Sequence, residues 1–565
     1  MATDAPHPFI TRHFVTIDGT RQVHYRRAGK GPPVLLLHQS PTSSREHVPL
    51  IEYLAADFTV IAPDTPGNGQ SDPLPDEDAP MEDYGDNIAK FLKAIGVPKV
   101  ATYGFHSGSS VSAAFATRHP GMVHGSVLNG FVAQTPEERA ERAAHYLIPV
   151  PPRWDGSHLA LIWARIREQY TFGAWHNMTR AGRSLQREMP ATDFIQWQLM
   201  EWLRSGDTYR RPYGAVFKYP GDQAARRFTT PAIICASDFD GLVKHLDRMP
   251  KDLPAGVQIE RIGPDPAAVF PFVKERLARF AKGDTPPPPP KPQPLKARAT
   301  QDYIRAGSGQ LHMRWVEGAG RPVLITADAF SDSSVIDPVT GGFLGKRAAI
   351  AIDAPGAGES DNILGGGAIT AARYGVALGQ ALDALGLSEV NALGLTGGAS
   401  DVLELALQRP QQVKRVALVG PWNFDAGTAW ELANRARPLA VEDHGGHLLR
   451  TWYMVRDDAL FFPWYRRNRD SNVYRDEWIQ TELVHRRFVA AMKAGDMLQH
   501  RQRAQATYRV ADALARLTQP ALVAGAKDDA AHLPARDLAK GKVTWADLPE
   551  AMAHWPDALL PFLKG

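Results

Sequence analysis

The sequence predicts the α/β fold class, in two tandem copies of one domain that each hold a mostly parallel sheet flanked by helices. Short apolar runs bounded by turn residues, such as PPVLLLH, FTVIAPD and KVATYGF, alternate with helical segments such as NIAKFLKAIG. Strands that alternate with helices in this way favour a parallel sheet covered on both faces. An internal repeat and a proline-rich segment near the middle of the chain indicate that the pattern occurs twice.

The repeat relates the two halves by a nearly constant offset. Asp64 recurs as Asp353 and His158 recurs as His447, each 289 positions later. The longest matched stretches are VIAPDTPGNGQSD (60–72) with AIAIDAPGAGESD (349–361), and GSHLALIWARIREQYTFGAW (156–175) with GGHLLRTWYMVRDDALFFPW (445–464). A repeat of this length indicates duplication of a whole domain and not a short solenoid unit.

The proline-rich segment KGDTPPPPPKPQPLKAR, at 282–297, is typical of a semi-rigid, extended linker. We therefore expect a first domain at 1–281 and a second at 298–565. Long helical insertions rich in Trp, Tyr and Arg interrupt the strand–helix alternation at about 132–228 and 422–518.

The composition excludes several classes of function. The chain of 565 residues is 44% hydrophobic and 22% charged, so it can bury large cores. Its 64 basic and 61 acidic residues give a net charge of +3, and no basic stripe indicates a nucleic-acid partner. The N-terminus has no apolar signal core, no run of about 20 apolar residues occurs, and the single cysteine, Cys235, excludes an intramolecular disulfide. We expect a cytoplasmic protein with neither a membrane nor a nucleic-acid partner, and its oligomeric state stays open.

These features together resemble the α/β-hydrolase fold with a helical lid, over nearly the whole chain and twice. LLLH with the small-residue loop after it resembles the oxyanion loop of that fold, and PDTPGNGQSD resembles its D-x-P-G-x-G-x-S-D stretch. YGFHSGS resembles the nucleophile elbow, and PAIICASDFDGL resembles the strand that delivers the catalytic acid. The resemblance implies the fold more strongly than any single reaction, because this fold hosts many.

The elbow position carries an unusual residue. His106 stands between Gly104 and Gly108, where the family normally has Ser, Cys or Asp. Ser107 is an alternative nucleophile, but the glycines bracket position 106. A neutral imidazole at the start of a helix can attack or take a proton without a partner base. The alternative is that the first half has lost catalysis and His106 is a leftover polar residue.

The resemblance implies the other parts of the site. The oxyanion donors are the backbone N–H groups of Ser107 and Gln39, and the acid position falls on Asp240, with Asp238 as a neighbour. The usual terminal histidine is missing, because the matching stretch QIERIGPDPAAVFPFV contains none. An ordinary Ser-His-Asp triad therefore cannot be assembled in the first copy.

Further side chains are candidates for the first site. His38 ends the third strand, where many family members carry a histidine for structural reasons, and His158 lies just inside a helix of the insertion. Trp163, Arg167 and Trp175 are candidate substrate contacts, with lid packing as the alternative for the tryptophans and a carboxylate partner as the alternative for the arginine.

The second copy is differently equipped, and we expect it to be degraded. Its elbow LGLTGGAS places Thr396 at the tip, where a β-branched residue fits poorly if φ is positive. The offset places the acid at Asp529, and His554 is either the late histidine or part of the final helix. His447 is the equivalent of His158.

The sequence therefore predicts a hydrolase of a small, mostly apolar ester, lactone or carbon–carbon bond substrate, with His106 as nucleophile or general base and no cofactor. Two alternatives stay open: a cofactor-free lyase, isomerase or oxygenase that uses His106 as a base, and a non-catalytic ligand-binding protein. We expect no metal, although His38, His106, His158 and Asp240 together would suit zinc or iron.

Overall fold

The computed structural model describes residues 10–183, 188–473, 478–526, 529 and 532–564. Within this part of the chain, sixteen strands form two sheets of eight strands each. The strands of the first sheet are β1 (Thr11–Ile17), β2 (Arg21–Ala28), β3 (Pro33–Leu37), β4 (Thr59–Pro63), β5 (Val100–Phe105), β6 (Val123–Asn129), β7 (Ala232–Ala236) and β8 (Val257–Arg261). Those of the second are β9 (Thr300–Ala306), β10 (Gly309–Val316), β11 (Val323–Thr326), β12 (Ala349–Ile352), β13 (Val390–Leu395), β14 (Val413–Val419), β15 (Ala521–Ala526) and β16 (Val543–Leu548).

The two sheets have the same topology. The strand order is β1-β2-β4-β3-β5-β6-β7-β8 in the first and β9-β10-β12-β11-β13-β14-β15-β16 in the second. The first strand pairs antiparallel with the second, and the second with its inner neighbour, whereas the other strands run parallel. The predicted fold class, two tandem copies of one mostly parallel α/β architecture, is confirmed.

Helices connect the strands in both copies. In the first copy they are α1 (Val48–Leu54), α2 (Met81–Ala94), α3 (Ser107–Arg118), α4 (Pro136–His145), α5 (Ser157–Thr171), α6 (Thr192–Ser205), α7 (Arg210–Lys218), α8 (Gly221–Ala225) and α9 (Val269–Phe280). In the second they are α10 (Asp337–Gly342), α11 (Ala371–Leu385), α12 (Ala399–Gln408), α13 (Ala426–Arg435), α14 (Gly446–Asp458), α15 (Thr481–Ala494), α16 (Met497–Ala506), α17 (Val510–Arg516) and α18 (Trp555–Leu563). Helices α4 to α8 and α13 to α17 fall within the two predicted insertions.

Alternate residues of β3 pack on opposite faces of the first sheet, as a buried strand requires. Leu35 and Leu37 join a hydrophobic cluster that contains residues of α2 and α3. Val34 and Leu36 join a separate cluster that contains residues of α1 and α9. Because parallel strands end at a common edge, the loops after β3, β5, β6 and β7 converge there.

The D-x-P-G-x-G stretch has a structural role in both copies. The Asp64 carboxylate accepts hydrogen bonds from the Ser44 backbone N–H at 2.8 Å and from Nδ1 of buried His24 at 2.8 Å. In the second copy, Asp353 and His312 form the same pair at 2.9 Å. These bonds tie the turn after β4 and β12 to the neighbouring strand.

The chain divides into two compact units. Among the described residues, the N-terminal unit comprises 10–151 together with Leu161–Gln293, and the C-terminal unit comprises Pro152–Ala160 together with 294–564. The division after Gln293 falls inside the predicted linker. The short stretch Pro152–Ala160, which we expected in the first domain, groups with the C-terminal unit instead.

Part of the proline-rich segment is bonded to the N-terminal unit. The Arg27 guanidinium donates to the carbonyl oxygens of Pro286, at 2.8 Å, and Pro287. The Gly31 N–H donates to the Thr285 hydroxyl at 2.8 Å. Residues 285–287 are therefore held against the first sheet. Among the residues described, no helix is both long enough and apolar enough to cross a bilayer.

We predict that Arg27→Ala raises the rate at which a broad-specificity protease cuts between residues 282 and 297. Hydrogen bonds from a charged donor are worth about 1.5 kcal/mol or more, so local opening and cleavage should increase about tenfold. Gel densitometry of timed digests measures the rate. The control is Arg279→Ala, which removes an exposed guanidinium bonded to Glu275. Equal rates for both variants would show that the Arg27 bonds do not hold the segment.

Candidate active site

The elbow after β5 is a tight turn set by two glycines. A Cβ on Gly104 would lie 2.4 Å from the Gly108 carbonyl oxygen, and a Cβ on Gly108 would lie 2.1 Å from the Leu37 carbonyl oxygen. Only glycine therefore lets α3 lie this close to β3 and β5. Between them, His106 adopts φ 49° and ψ −114°, a strained conformation of the kind found at functional sites.

The structure brings His106 and Asp240 together. Nε2 of His106 lies 2.7 Å from Oδ2 of Asp240, and the side chains are 29% and 10% exposed. Because a carboxylate only accepts, Nε2–H donates to Asp240 and Nδ1 keeps its lone pair. Asp240 is fixed in turn, because its Oδ1 accepts from the Leu242 N–H at 2.8 Å. An Asp–His pair thus forms between the elbow and the loop after β7 without a late histidine.

Gly130, directly after β6, makes room for this pair. It has φ 68°, and a Cβ there would lie 2.3 Å from Cδ2 of His106 and 3.3 Å from Oδ2 of Asp240. The Phe105 ring lies against the imidazole, with 4.1 Å between the ring centroids. The equivalent glycine, Gly420, follows β14. The recurrence of a glycine directly after this strand is the sequence signal that could have identified Gly130 as part of the site.

The predicted oxyanion donors differ in availability. Ser107 is the first residue of α3, where the N–H groups of the first turn have no partner within the helix. Its hydroxyl accepts from the Ser40 N–H at 2.6 Å. The Gln39 N–H already donates to Oε2 of Glu46 at 3.1 Å. The predicted role of Gln39 as an oxyanion donor therefore conflicts with this geometry.

Glu46 is a feature of this site that no motif marks. Its carboxylate accepts from the backbone and side-chain amides of Gln39 and from the Thr42 hydroxyl at 3.0 Å. Burial raises the pKa of Glu46. The equivalent residue in the second copy is Val335, so comparison of the two copies does not identify Glu46 either.

His38 connects two loops by hydrogen bonds, which occupy both of its ring nitrogens. The buried ring donates from Nδ1 to the Gln39 carbonyl oxygen at 2.7 Å and accepts at Nε2 from the Thr65 N–H at 2.9 Å. We therefore remove His38 from the candidate catalytic residues, and its structural role agrees with the alternative taken from the family.

His158 also uses both nitrogens, within the C-terminal unit. Nδ1 accepts from the Arg153 N–H at 3.1 Å, and Nε2 lies 3.2 Å from Nδ1 of His485. The ring packs edge-on against Trp452, with centroids 4.8 Å apart. His447 accepts the backbone N–H of the residue five positions before it, at 3.2 Å, in the same way. This histidine thus recurs because it accepts a hydrogen bond from the backbone five residues before it in both copies. The expectation of a catalytic role for His158 is therefore corrected.

The metal-ligand set considered from the sequence is not assembled. His38 and His158 commit their ring nitrogens to the hydrogen bonds above. Among the described residues, no group of three or more His, Cys, Asp or Glu side chains is placed to hold a metal ion.

The candidate substrate contacts lie on or after α5. Trp163 is buried, Arg167 is partly exposed, and Nε1 of Trp175 donates to the Tyr146 carbonyl oxygen at 3.1 Å. Trp175 therefore has a packing role, whereas a role in substrate binding stays a prediction for all three residues.

The buried arginine of this insertion is Arg165 and not Arg167. The guanidinium of Arg165 lies 4.8 Å from the ring centroid of Tyr146 and 5.2 Å from those of Trp175 and Trp202. The side chain also donates to Oε1 of Gln169 at 3.2 Å. The repeat conceals this residue, because the equivalent position in the second copy is Met454.

The second elbow has the same backbone and a different environment. Thr396 has φ 50°, although it is β-branched, and its hydroxyl donates to Oδ2 of Asp328 at 2.7 Å. Asp328 stands at the position of Gln39. A carboxylate at this point would repel a developing oxyanion, which agrees with a degraded second site.

Asp529 pairs with an unexpected histidine. Its Oδ2 lies 3.3 Å from Nδ1 of buried His532, and a Cβ on Gly420 would lie 1.9 Å from Cδ2 of the same ring. His554 is instead exposed, directly before α18. Of the two interpretations of His554, its position favours the one that assigns it to the final helix, and the imidazole beside Asp529 comes from His532.

The comparisons with known proteins agree with this fold. The family model described as alpha/beta hydrolase fold matches residues 32–158 and 344–529, more than half of the chain. An uncharacterized hydrolase of Saccharomyces cerevisiae is 34% identical over 117 residues, which is 20% of this chain and 40% of the relative.

Two further relatives have named activities. (E)-2-((N-methylformamido)methylene)succinate hydrolase of Acinetobacter baylyi is 30% identical over 150 residues, 25% of this chain and 57% of the relative. Soluble epoxide hydrolase of a Corynebacterium species is 38% identical over 112 residues, 19% of this chain and 37% of the relative. The chain spans less than two thirds of the length of each of these relatives.

We predict that Gly130→Ala abolishes most activity while Gly420→Ala does not. The new Cβ at position 130 would displace the His106 ring, and a displacement of about 1 Å costs about 100-fold in kcat/KM. Both variants place a side chain at positive φ and should lose about 1–2 kcal/mol of stability. Steady-state kinetics and thermal unfolding measure the two effects. Equal loss of activity in both variants would place catalysis in both copies or in neither.

We predict that acid destabilises the protein partly through His158 and His447. Burial lowers the pKa of each ring to about 4, against about 6.5 in the unfolded chain. Between these values the unfolded chain binds protons that the folded chain does not, so stability falls as pH falls from about 6.5 to 4, by up to about 1.4 kcal/mol per ring and pH unit.

The measurement is the thermal unfolding midpoint at pH 7 and pH 5. His158→Gln and His447→Gln should each reduce the difference between the two midpoints, because neither glutamine titrates. The control is His444→Gln, at an exposed position. An unchanged difference in the first two variants would contradict the assignment.

Proposed function

We propose that this chain, which belongs to the α/β-hydrolase fold family, hydrolyses an ester, lactone or carbon–carbon bond of a small, mostly apolar molecule. The observation that carries the proposal is the 2.7 Å contact between Nε2 of His106 and Asp240 at the elbow of the N-terminal unit. The named relatives are hydrolases of different substrates, which supports hydrolysis as the reaction class and leaves the substrate open.

In the general-base version, Nδ1 of His106 takes a proton from water as the water oxygen attacks the electrophilic carbon. The positive charge that forms on the ring is stabilised by the Asp240 carboxylate bonded to Nε2. The N–H of Ser107, at the positive end of α3, is placed to stabilise the oxygen that becomes negative. The leaving group then receives the proton from Nδ1 as its bond to carbon breaks.

In the nucleophilic version, the Nδ1 lone pair itself attacks the carbonyl carbon, and the bond to the leaving group breaks as the leaving group takes a proton from water. Water then hydrolyses the acyl-imidazole and restores the free ring. Both versions use the same lone pair, because Asp240 occupies the other nitrogen. Rapid quenching of the reaction and mass spectrometry of the tryptic peptides distinguish them, since only the second forms an acyl group on His106.

The substrate class rests on the aromatic insertion of the N-terminal unit. Trp163 and Trp202 are buried there, and Trp175 is half-buried. Apolar walls with few polar groups are typical of small-molecule sites. In the C-terminal unit, the bond from Thr396 to Asp328 supports a copy without hydrolase chemistry.

One observation favours a second candidate. The Gln39 N–H is bonded to Glu46, so only the Ser107 N–H of the expected oxyanion pair is available. A proton transfer that forms no tetrahedral oxyanion needs fewer such donors. A cofactor-free lyase or isomerase with His106 as its base is therefore the second candidate.

We predict that His106→Ala lowers kcat/KM by about 10³-fold and Asp240→Asn by about 10²-fold or more, whereas Thr396→Ala changes it less than about threefold. The asparagine cannot stabilise the ring cation, and Thr396 belongs to the copy that we consider inactive. A panel of ester, lactone and diketone substrates on the wild type identifies the reaction to be measured.

Turnover in ¹⁸O-labelled water separates the candidates. Hydrolysis places one labelled oxygen in the product, and proton transfer alone places none. Turnover without label would replace the hydrolase proposal by the lyase or isomerase candidate. If Thr396→Ala loses more activity than His106→Ala, the assignment of the active copy is wrong.

A further inference from the structure

Arg165 is a buried cation without an acidic partner in the described part of the chain. The residue is 7% exposed, and its Nε is enclosed and has no hydrogen-bond partner there. The side-chain contacts described for it are the amide oxygen of Gln169 and the rings of Tyr146, Trp175 and Trp202. All of these groups are neutral, so no carboxylate balances the guanidinium charge.

Two acidic side chains of the surrounding helices pair with other cations. Glu141, on α4, is bonded to His176, and Glu201, on α6, lies 3.2 Å from Arg204. The oxygen atom that does reach Arg165 belongs to an amide, which carries no charge.

A buried charge without a partner of opposite charge lowers the stability of the folded protein. Removing an ion from water costs several kcal/mol unless a partner of opposite charge compensates. Cation–π contacts with three rings recover part of this cost, about 2 kcal/mol or more where water is excluded. The effect of the unbalanced charge extends to Tyr146. Burial raises the pKa of its phenol, but the Arg165 charge, the hydrogen bond with Tyr213 and the Arg142 charge together outweigh burial and lower that pKa.

The second copy shows that the fold does not need this cation. The equivalent position on α14 is Met454, and the equivalent of Gln169 is Asp458. Asp458 has a cationic partner of its own, Arg487, at 2.8 Å. The charge at Arg165 is therefore specific to the N-terminal unit, which also holds the His106–Asp240 pair.

We propose that Arg165 binds the carboxylate of an apolar or aromatic carboxylic acid, and that this carboxylate is part of the substrate. A carboxylate accepts two N–H bonds from a guanidinium in one plane, and its apolar remainder would contact the rings of Tyr146, Trp175 and Trp202. This inference rests on the proposed function only in identifying the ligand with the substrate, and it narrows the class to molecules with one anionic end.

The test measures binding of benzoate to the full chain by titration calorimetry. Arg165→Met introduces the residue of the second copy and should weaken benzoate binding about ten- to a hundredfold. Arg180→Met removes an exposed positive charge from the same insertion and should leave binding unchanged. Benzyl alcohol and inorganic phosphate should each bind at least tenfold more weakly than benzoate to the wild type, because each lacks either the charge or the apolar group.

Thermal unfolding separates recognition from a structural role. Arg165→Met should melt no lower than the wild type, since it removes an unbalanced buried charge, and benzoate should raise the midpoint of the wild type but not that of Arg165→Met. A variant that melts well below the wild type, or that binds benzoate as tightly, overturns the proposal. So does equal binding of benzyl alcohol or phosphate.

Arg165→Lys provides a second, milder variant, because it keeps the charge and loses the planar fork. Weaker benzoate binding at an unchanged midpoint supports the proposal, and unchanged binding overturns it. His106→Ala should bind benzoate as the wild type does. Failure of the hydrolase chemistry and failure of carboxylate recognition are therefore distinguished by separate measurements.

Discussion

The close approach of α3 to the sheet is the constraint on which the candidate site depends. Because Gly104 and Gly108 leave no space for a Cβ, the chain must reverse within one residue, and that residue takes a positive φ. The second copy obeys the same constraint through Gly394 and Gly398, and Thr396 adopts nearly the same φ as His106. The backbone therefore presents one side chain at the strand ends in both copies, whatever that side chain is.

The two copies then differ in where the imidazole comes from. In the first, Asp240 holds the elbow residue itself against Gly130. In the second, Nδ1 of His532 accepts from the Ala526 N–H at 3.2 Å and lies 3.3 Å from Asp529. The His532 ring lies against the equivalent glycine, and the elbow hydroxyl donates to a carboxylate. The acid and the glycine are thus common parts of the repeat. In the proposed reaction, the imidazole on the elbow takes the place of both the nucleophile and the base of a triad.

The sequence predicted the fold, the duplication and the elbow, because each depends on local patterns: apolar runs, a constant offset and a pair of glycines. It also placed His106 and Asp240 at positions that the structure brings into contact. Their roles in catalysis stay proposals.

The remaining residues escaped prediction because their partners are set by tertiary structure. His38 and His158 were candidates as histidines near the site, but both rings are committed to backbone N–H groups and to neighbours that no motif specifies. The Gln39 N–H is hydrogen-bonded to Glu46, and the second copy has no glutamate at the equivalent position. Arg165 was concealed because only its surroundings, and not its spacing, distinguish it from Arg167.

The most direct measurement of the central claim is ¹⁵N nuclear magnetic resonance of protein labelled at the histidine ring nitrogens, with the His106 signals assigned by their loss in His106→Gln. The account predicts that, at a pH where the ring is neutral, His106 carries its proton on Nε2, hydrogen-bonded to Asp240, with an unprotonated Nδ1, and that Asp240→Asn shifts both signals. A proton on Nδ1 with a free Nε2, or signals that do not respond to Asp240→Asn, would contradict it.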